Sequence, residues 1–231
     1  FVIIPNPWTG SNFFLYINDF FGKPVFQIIW NKLIKMRRLV IGVAGASGVI
    51  YSVRLMEVLR EVSDVETHLV LSNAALKTIK FETNFSVDEV IALADVRHSI
   101  KNIAASISSG SFQTMGMVVV PCSMKTLSGI VFSYSDNLLL RAADVTLKER
   151  RPLVLLPRET PLHLGHLRLM VQATEIGSII LPPMPAFYHR PITLDDVINQ
   201  TVNRILDILK IDLKEDLFDR WQGFSINGEK D

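Results

Sequence analysis

Cysteine is almost missing from this chain of 231 residues. Cys122 stands alone, which excludes an intrachain disulfide framework and a multi-cysteine zinc site and fits a reducing cytoplasm. Surplus charge is missing too. The chain has 24 Lys+Arg against 23 Asp+Glu, a net charge of +1. So balanced a chain is a poor candidate for a general binder of nucleic acid or another polyanion. Long apolar runs are also absent. A spanning helix needs about 20 apolar residues in succession, and Asn, Asp, Lys or Pro breaks each run before that length. What is present is a composition 48% hydrophobic and 20% charged. That supports a packed core, of a size for one large α/β domain or two small ones.

The aromatics are unevenly spread. Residues 1–35 hold Phe1, Trp8, Phe13, Phe14, Tyr16, Phe20, Phe21, Phe26 and Trp30, nine of the 20 in the chain (Phe 13, Trp 3, Tyr 4). This stretch lacks the pattern of a signal peptide, since Asn18, Asp19, Lys23 and Pro24 interrupt it. It is expected to be a non-native or upstream-translated extension, with Met36 as the natural start. The other reading is an interfacial or oligomer-contact arm. Residues 36–223 are expected to form the working domain and 224–231 a C-terminal tail.

From Arg37 onward the texture is regular. Apolar runs at 39–43, 67–71, 117–120, 153–156 and 178–181 read as buried parallel strands. The third is expected to close at Pro121. Between them lie helical stripes. Val49, Val53, Met56, Leu59 and Val62 share one face, and residues 73–80 read as a short helix. Ser86-Val87-Asp88-Glu89 reads as a capping box. Residues 127–148 read as helix with a break near 133–136, residues 164–176 as a helix closed by Gly177, and Thr193 as the cap of a long final helix. Strands alternating with helices predict an α/β fold: a three-layer sandwich on a mostly parallel sheet, Rossmann-like. The small, polar stretch 103–111 has no evident structure, and such loops are often functional.

Two strand-to-helix loops attract attention. Gly42-Val43-Ala44-Gly45-Ala46-Ser47-Gly48 follows the first strand, where glycines let backbone amides approach an anionic or polar ligand. It is not a strict dinucleotide fingerprint. The second strand ends in Leu71-Ser72-Asn73 rather than an acid for a ribose hydroxyl, which argues against NAD and leaves a mononucleotide or a flavin open. The other loop, Pro121-Cys122-Ser123-Met124-Lys125-Thr126-Leu127-Ser128-Gly129, offers hydroxyls and amides to a phosphate. Cys122 reads as packing rather than a nucleophile, because His163, His166 and His189 are all remote in sequence. A third group is cationic: Arg141, Lys148, Arg158 and Arg204, with Tyr188 nearby in type. Arg158-Glu159 ends an apolar strand, and Glu159 can hold or move a proton. Glu82 is a weaker acid/base candidate. His163 and His166 lack a third ligand for a metal.

Taken in order, Gly45-Ala46-Ser47-Gly48, Pro121-Cys122-Ser123, Glu149-Arg150-Arg151-Pro152-Leu153-Val154, Arg158-Glu159-Thr160-Pro161-Leu162, Pro182-Pro183 and Phe187-Tyr188-His189-Arg190-Pro191 resemble the flavin prenyltransferases of the UbiX/Pad type. The resemblance runs from Met36 to about Gly223 and leaves out residues 1–35. It implies a flavoprotein fold and an enzyme that moves a dimethylallyl group from dimethylallyl monophosphate to reduced FMN without a metal. New bonds form at flavin N5 and C6. The product, prenylated FMN, serves a UbiD-type decarboxylase, as in ubiquinone biosynthesis.

The same resemblance implies roles. Gly45, Ala46, Ser47, Ser72, Ser123, Met124, Lys125, Thr126 and Arg158 hold the flavin, with Arg141 in the cofactor-binding set. Lys148, Tyr188 and Arg204 bind the prenyl phosphate, and Ser108, Ser109 and Gly110 line its pocket. Glu159, assisted by Glu82 and Ser47, handles protons. Trp221 presents a π-face to an allylic cation. The implied assembly is a homo-oligomer, a trimer-based dodecamer, working in the cytoplasm with no membrane span and no nucleic acid. Two other readings stand beside it. A flavin-dependent cysteine decarboxylase wants an Asn and a Trp in a segment that here reads Pro183-Met184-Pro185-Ala186-Phe187-Tyr188. A non-catalytic flavin carrier needs the loops but not Glu159, Lys148 or Arg204.

Overall fold

The computed structural model describes residues 36–223. The expectations for 1–35 and 224–231 lie outside the described residues. Among the described residues six strands form one sheet: β1 (Arg37–Val43), β2 (Val65–Leu71), β3 (Val96–His98), β4 (Gly116–Cys122), β5 (Leu153–Pro157) and β6 (Ile179–Ile180). Their order is β3-β2-β1-β4-β5-β6, and β2–β3, β1–β4, β4–β5 and β5–β6 all pair in parallel. The helices are α1 (Ile50–Leu59), α2 (Asn73–Glu82), α3 (Val87–Ile91), α4 (Met124–Val131), α5 (Leu138–Lys148), α6 (Leu164–Glu175) and α7 (Leu194–Ile208).

Three layers follow from period-two side-chain direction on strands that are apolar on both faces. Leu39, Ile41 and Val43 of β1, with Val118, Val120, Val154 and Leu156, join α1, α2, α3 and α7 in one core cluster. Val40, Met117, Val119, Leu153 and Leu155 face the other way, against α4, α5 and Ala173 of α6. Truncating a fully buried member such as Leu55 or Leu139 to alanine would cost about 2–5 kcal/mol.

The predicted capping box at Ser86 and the predicted cap at Thr193 both form, the second as a capping box too. Ser86 accepts from the Glu89 amide while Glu89 reaches back to the Ser86 amide, and Thr193 and Asp196 repeat the arrangement at α7. Gly177 takes φ +98° after α6, the left-handed turn a glycine enters freely.

Three expectations change. β4 does not close at Pro121 but runs through it to Cys122. Proline has no amide to give the ladder, and the β4–β5 register slips between Val119 and Cys122, which accommodates it. β3 was not expected, because Val96-Arg97-His98 has no apolar run. It is held by Thr67 and Asp95, whose amides and side chains bond reciprocally at 2.8–2.9 Å. The stretch 103–111 is not structureless. It contains a short 3₁₀ turn, Ser106–Ser108, and buries Ala105 and Ile107 in the second core cluster.

Candidate functional site

The strand order 3-2-1-4-5-6 reverses between β1 and β4, and ligands of such sheets sit at the carboxyl ends of those strands. The loop ends there are stitched together. The Ala44 amide donates to the Pro121 carbonyl (3.1 Å), the Ser72 amide to the Val43 carbonyl (3.0 Å), and the Arg158 amide to the Cys122 carbonyl (3.2 Å). These bonds carry the sheet one residue past its formal ends and fix where the following loops leave.

Among the helices that begin at this edge, three that surround one cavity carry side-chain caps. Ser72 Oγ accepts from the Ala75 amide at 3.0 Å. Ser123 Oγ accepts from the Thr126 amide at 3.3 Å and donates to Thr126 Oγ1 at 3.0 Å. Asn137 Oδ1 accepts from the Leu140 amide at 3.2 Å. Between the three N-termini lies a cavity of about 540 Å³, walled by Gly45, Ser72, Ser123, Lys125, Thr126 and Asn137 among others. Helix N-termini carry partial positive charge and unpaired amides. Lys125 and Lys101 add full charges, and Asp136 opposes them. The chemistry suits a phosphate-bearing ligand with a polar ring.

Gly45 is required by close approach. A Cβ there would stand 2.1 Å from the Ala74 Cβ, so only a bare backbone lets the loop lie on the start of α2. Gly48 has φ +102°. Its amide and that of Val49 donate to Glu82 Oε2 at 2.8 and 3.3 Å, so the N-terminus of α1 is already met by a carboxylate. Ala46 and Ser47 sit between these glycines, with Ser47 exposed. Tyr51 lies under Gly48, its ring 3.2 Å from the Cβ position of that residue. Burial raises the Tyr51 phenol above its ordinary pKa, against the opposing pull of a hydrogen bond with Thr201 and the charge of Arg158.

Of the flavin-binding expectations, Gly45, Ser72, Ser123, Lys125 and Thr126 therefore line one cavity. Met124 opens α4 but packs against the second core cluster. Arg158 and Glu159 are exposed just past β5, where Glu159 accepts from the Thr160 amide at 3.1 Å. Arg141 stands apart from the cavity, in a second group. Its Nε donates to the Ser108 carbonyl at 3.3 Å and its Nη1 to Asp144 at 2.7 Å. Lys148 belongs to the same group. It pairs with Glu149, whose carboxyl it holds below the ordinary range, and both side chains close on Gly110. Ser109 joins Ser111 through their hydroxyls at 2.9 Å.

A third group is aromatic. Tyr188 meets Trp221 edge-on, centroids 5.8 Å apart, with Phe218 beside it at 6.4 Å. Arg204 donates to Asp207 at 2.9 Å.

Sequence reasoning missed Lys101, Asp136 and Asn137 in the cavity wall. Asn137 had a readable signal, since a helix break ending in Asn is a cap. It also missed Arg151, which donates to the Gly110 and Phe112 carbonyls and to Thr114 Oγ1 at 2.7–3.1 Å and so organises the 108–114 loop. Cys122 is fully buried and its thiol is pushed up to about 12 by that burial, consistent with a packing role. Among the described residues no group of three or more His, Cys, Asp or Glu side chains could hold a metal ion, and no helix is long and apolar enough to cross a membrane.

The flavoprotein family model matches residues 30–209. The chain is 71% identical over 188 residues to the flavin prenyltransferase UbiX of Escherichia coli K12, covering 81% of this chain and all of that relative. It belongs to the UbiX family of flavin prenyltransferases. Two solved UbiX-type structures share the fold. AnUbiX (PadA1), in complex with FMN and dimethylallyl pyrophosphate, superposes with TM-score 0.78 at 47% identity, covering 82% of this chain and all of that one. A dodecameric FMN-dependent UbiX-like decarboxylase from Escherichia coli O157:H7 gives 0.77 at 50% identity, covering 81% and 100%. The six-stranded parallel sheet and its flanking helices are thus the UbiX flavoprotein architecture.

Proposed function

We propose that this protein is a flavin prenyltransferase that transfers a dimethylallyl group from dimethylallyl monophosphate to reduced FMN, bonding at N5 and C6, and releases prenylated FMN for a UbiD-type decarboxylase. One observation carries the reading: 71% identity over the whole length of a flavin prenyltransferase UbiX. The cavity at the switch point supports the reading, because Gly45, Ser72, Ser123, Lys125 and Thr126 line it and helix N-termini favour a phosphate.

Bound reduced flavin would supply nucleophilic N5 and C6. The chain's residues do the rest. Ser72, Ser123, Thr126 and Lys125 bind and orient, through caps, amides and one charge. Lys148 and Arg204, with the Tyr188 hydroxyl, neutralise the prenyl phosphate as its C–O bond breaks. Such fixed charges act on a developing anion in the way that a metal does elsewhere. Ser108, Ser109 and Gly110 shape the pocket beside Lys148. Glu159 would hold and move protons around the flavin and the leaving phosphate, with Glu82 and Ser47 assisting. Arg158 sits next to it to hold charge, and Trp221 offers its face to the allylic cation. Lys148, Tyr188 and Arg204 do not line the flavin cavity within one chain, which accords with a homo-oligomer whose subunit contacts complete the site. A trimer-based dodecamer is the assembly we infer, supported by the dodecameric relative. The partner decarboxylase, a role in ubiquinone biosynthesis and a cytoplasmic place of work follow from the family resemblance.

Anaerobic incubation with FMNH₂ and dimethylallyl monophosphate, followed by mass spectrometry of the flavin, tests this. A C5 adduct is expected. Its absence with FMN bound would sink the prenyltransferase reading and leave a cysteine decarboxylase or a flavin carrier.

A further inference from the structure

The segment after α7 has no regular secondary structure, yet it is fastened along its length. Ile211 is buried, and Leu213 and Leu217 pack on the first core cluster. The Leu217 amide donates to Asn203 Oδ1 at 2.9 Å, and Asn203 is itself buried. Beyond Leu217 the aliphatic anchors end. Phe218 continues the packing with its ring, centroids 5.5 Å from His189. From there the fastening is ionic.

Arg220 reaches back to Asp207 on α7. Its Nη2 donates to Oδ1 at 2.7 Å and its Nη1 to Oδ2 at 3.1 Å. The same Nη2 donates to Asp216 Oδ1 at 2.6 Å. A forked guanidinium on a carboxylate fixes orientation as well as distance. Asp207 has further ties: Arg204 Nη1 donates to its Oδ2 at 2.9 Å, and Asn203 Nδ2 to its Oδ1 at 3.3 Å. The next residue after Arg220 is Trp221, whose ring meets Tyr188 at 78°.

We propose that Asp207, acting through Arg220, is the positioning residue that sets Trp221 against Tyr188 and so shapes the prenyl end of the site. This rests on the reading of Tyr188 and Trp221 as substrate-binding residues. An isolated exposed ion pair would hold little. This one is bidentate, doubled by Asp216 and rooted in a helix. It is also one peptide bond from the ring it places. Because Asp207 Oδ2 is shared by Arg204 and Arg220, one carboxylate registers a phosphate-binding cation and an aromatic wall to the same point on α7.

The test uses the full chain with Trp8→Phe and Trp30→Phe, which leaves Trp221 as the only one of three tryptophans. Asp207→Asn weakens the fork. Arg220→Gln removes it while keeping the Arg204–Asp207 pair, and Arg220→Lys keeps the charge without the fork. Without any ligand, Trp221 emission is expected to shift to the red and to quench more readily with acrylamide in Asp207→Asn and Arg220→Gln, with Arg220→Lys between these and the parent. With dimethylallyl monophosphate, KM is expected to rise about fivefold while kcat stays within about twofold, the size of effect a small ion-pair network controls. FMN affinity stays at the parent value and reports that each variant is folded. Unchanged emission in Arg220→Gln overturns the proposal, and so does a shifted emission with an unchanged KM. A parent protein that binds FMN but does not prenylate it sinks the proposed function instead, and the emission readout then decides the clamp alone.

Discussion

Glu82 turns its carboxylate into the start of α1, with Oε2 2.8 Å from the Gly48 nitrogen and 3.3 Å from that of Val49. The helix end nearest β1 is therefore satisfied from within the protein. The proposed flavin phosphate site then falls to other N-termini of the edge, those capped by Ser72, Ser123 and Asn137. Replacing Glu82 by alanine should release two amides to solvent and remove a charge from a helix N-terminus, a loss of about 0.5–1 kcal/mol. Chemical denaturation measures this. Prenyl transfer should slow at the same time, with FMN affinity nearly unchanged. A large loss of FMN affinity would place the phosphate at α1 after all.

The Gly45–Ala74 approach predicts a compensating pair. Gly45→Ala should weaken FMN binding strongly, because the new methyl has no room and the loop must move, a strain of about 1–3 kcal/mol. Gly45→Ala with Ala74→Gly removes the colliding methyl and should recover most of the affinity. Flavin fluorescence titration of the four proteins gives the coupling directly. No recovery in the double variant would show that Gly45 matters for a reason other than the 2.1 Å collision.

Glu159→Gln should retain FMN and lose prenylation. The side chain is exposed and among the described residues its carboxylate accepts from the Thr160 amide next to it, so stability should stay within about 0.5 kcal/mol of the parent. Single-turnover rates under anaerobic conditions decide the point. A rate equal to the parent's would remove Glu159 from proton transfer.

Stability should rise with pH across the histidine range. His98 Nε2 lies 2.9 Å from His68 Nδ1, and His68 Nε2 faces Glu66 Oε1 at 2.6 Å, the same oxygen that Arg38 Nε meets at 3.2 Å. Burial, then the nearby His68, lowers the pKa of His98 below its ordinary 6.5. Between those two values the unfolded chain binds more protons than the folded one, so the stabilisation is complete above pH 6.5 and is lost as pH falls through the folded value. Urea midpoints at pH 5, 6 and 7 should increase in that order. His98→Gln should flatten the trend. An equal slope in that variant would assign it to other groups. The depressed carboxylates Glu149 and Asp216 act only at lower pH, below their ordinary values of 4.5 and 3.8.

The layers were legible because strands such as Leu39–Val43 are apolar on both faces and the caps Ser86, Thr193 and Gly177 mark their helices plainly. Signals of those kinds are local. β3 carries none, since an edge strand of Val-Arg-His is fixed by the Thr67–Asp95 bonds rather than by its own pattern. Pro121 misled for the opposite reason: a strong local rule yielded to a register slip that only the neighbouring strand reveals. In the site, Gly45, Ser123 and Thr126 could be read from loops at strand ends, while Ser72 and Lys125 entered through the family resemblance. Lys101 and Arg151 were missed, since each reaches its place through tertiary packing. The Arg220–Asp207 contact has no periodicity to betray it.

The caps of α2, α4 and α5 have a consequence for how the protein behaves in a cell. Ser72, Ser123 and Asn137 begin helices, and their amides are also the walls of the cavity. Folding and occupancy are then linked by mass action. Flavin at 100 times its dissociation constant adds about 2.7 kcal/mol to the folded state, as large a contribution as many buried side chains. Abundance of the enzyme would track flavin supply with no dedicated sensor, through the fraction of chains left open to proteolysis.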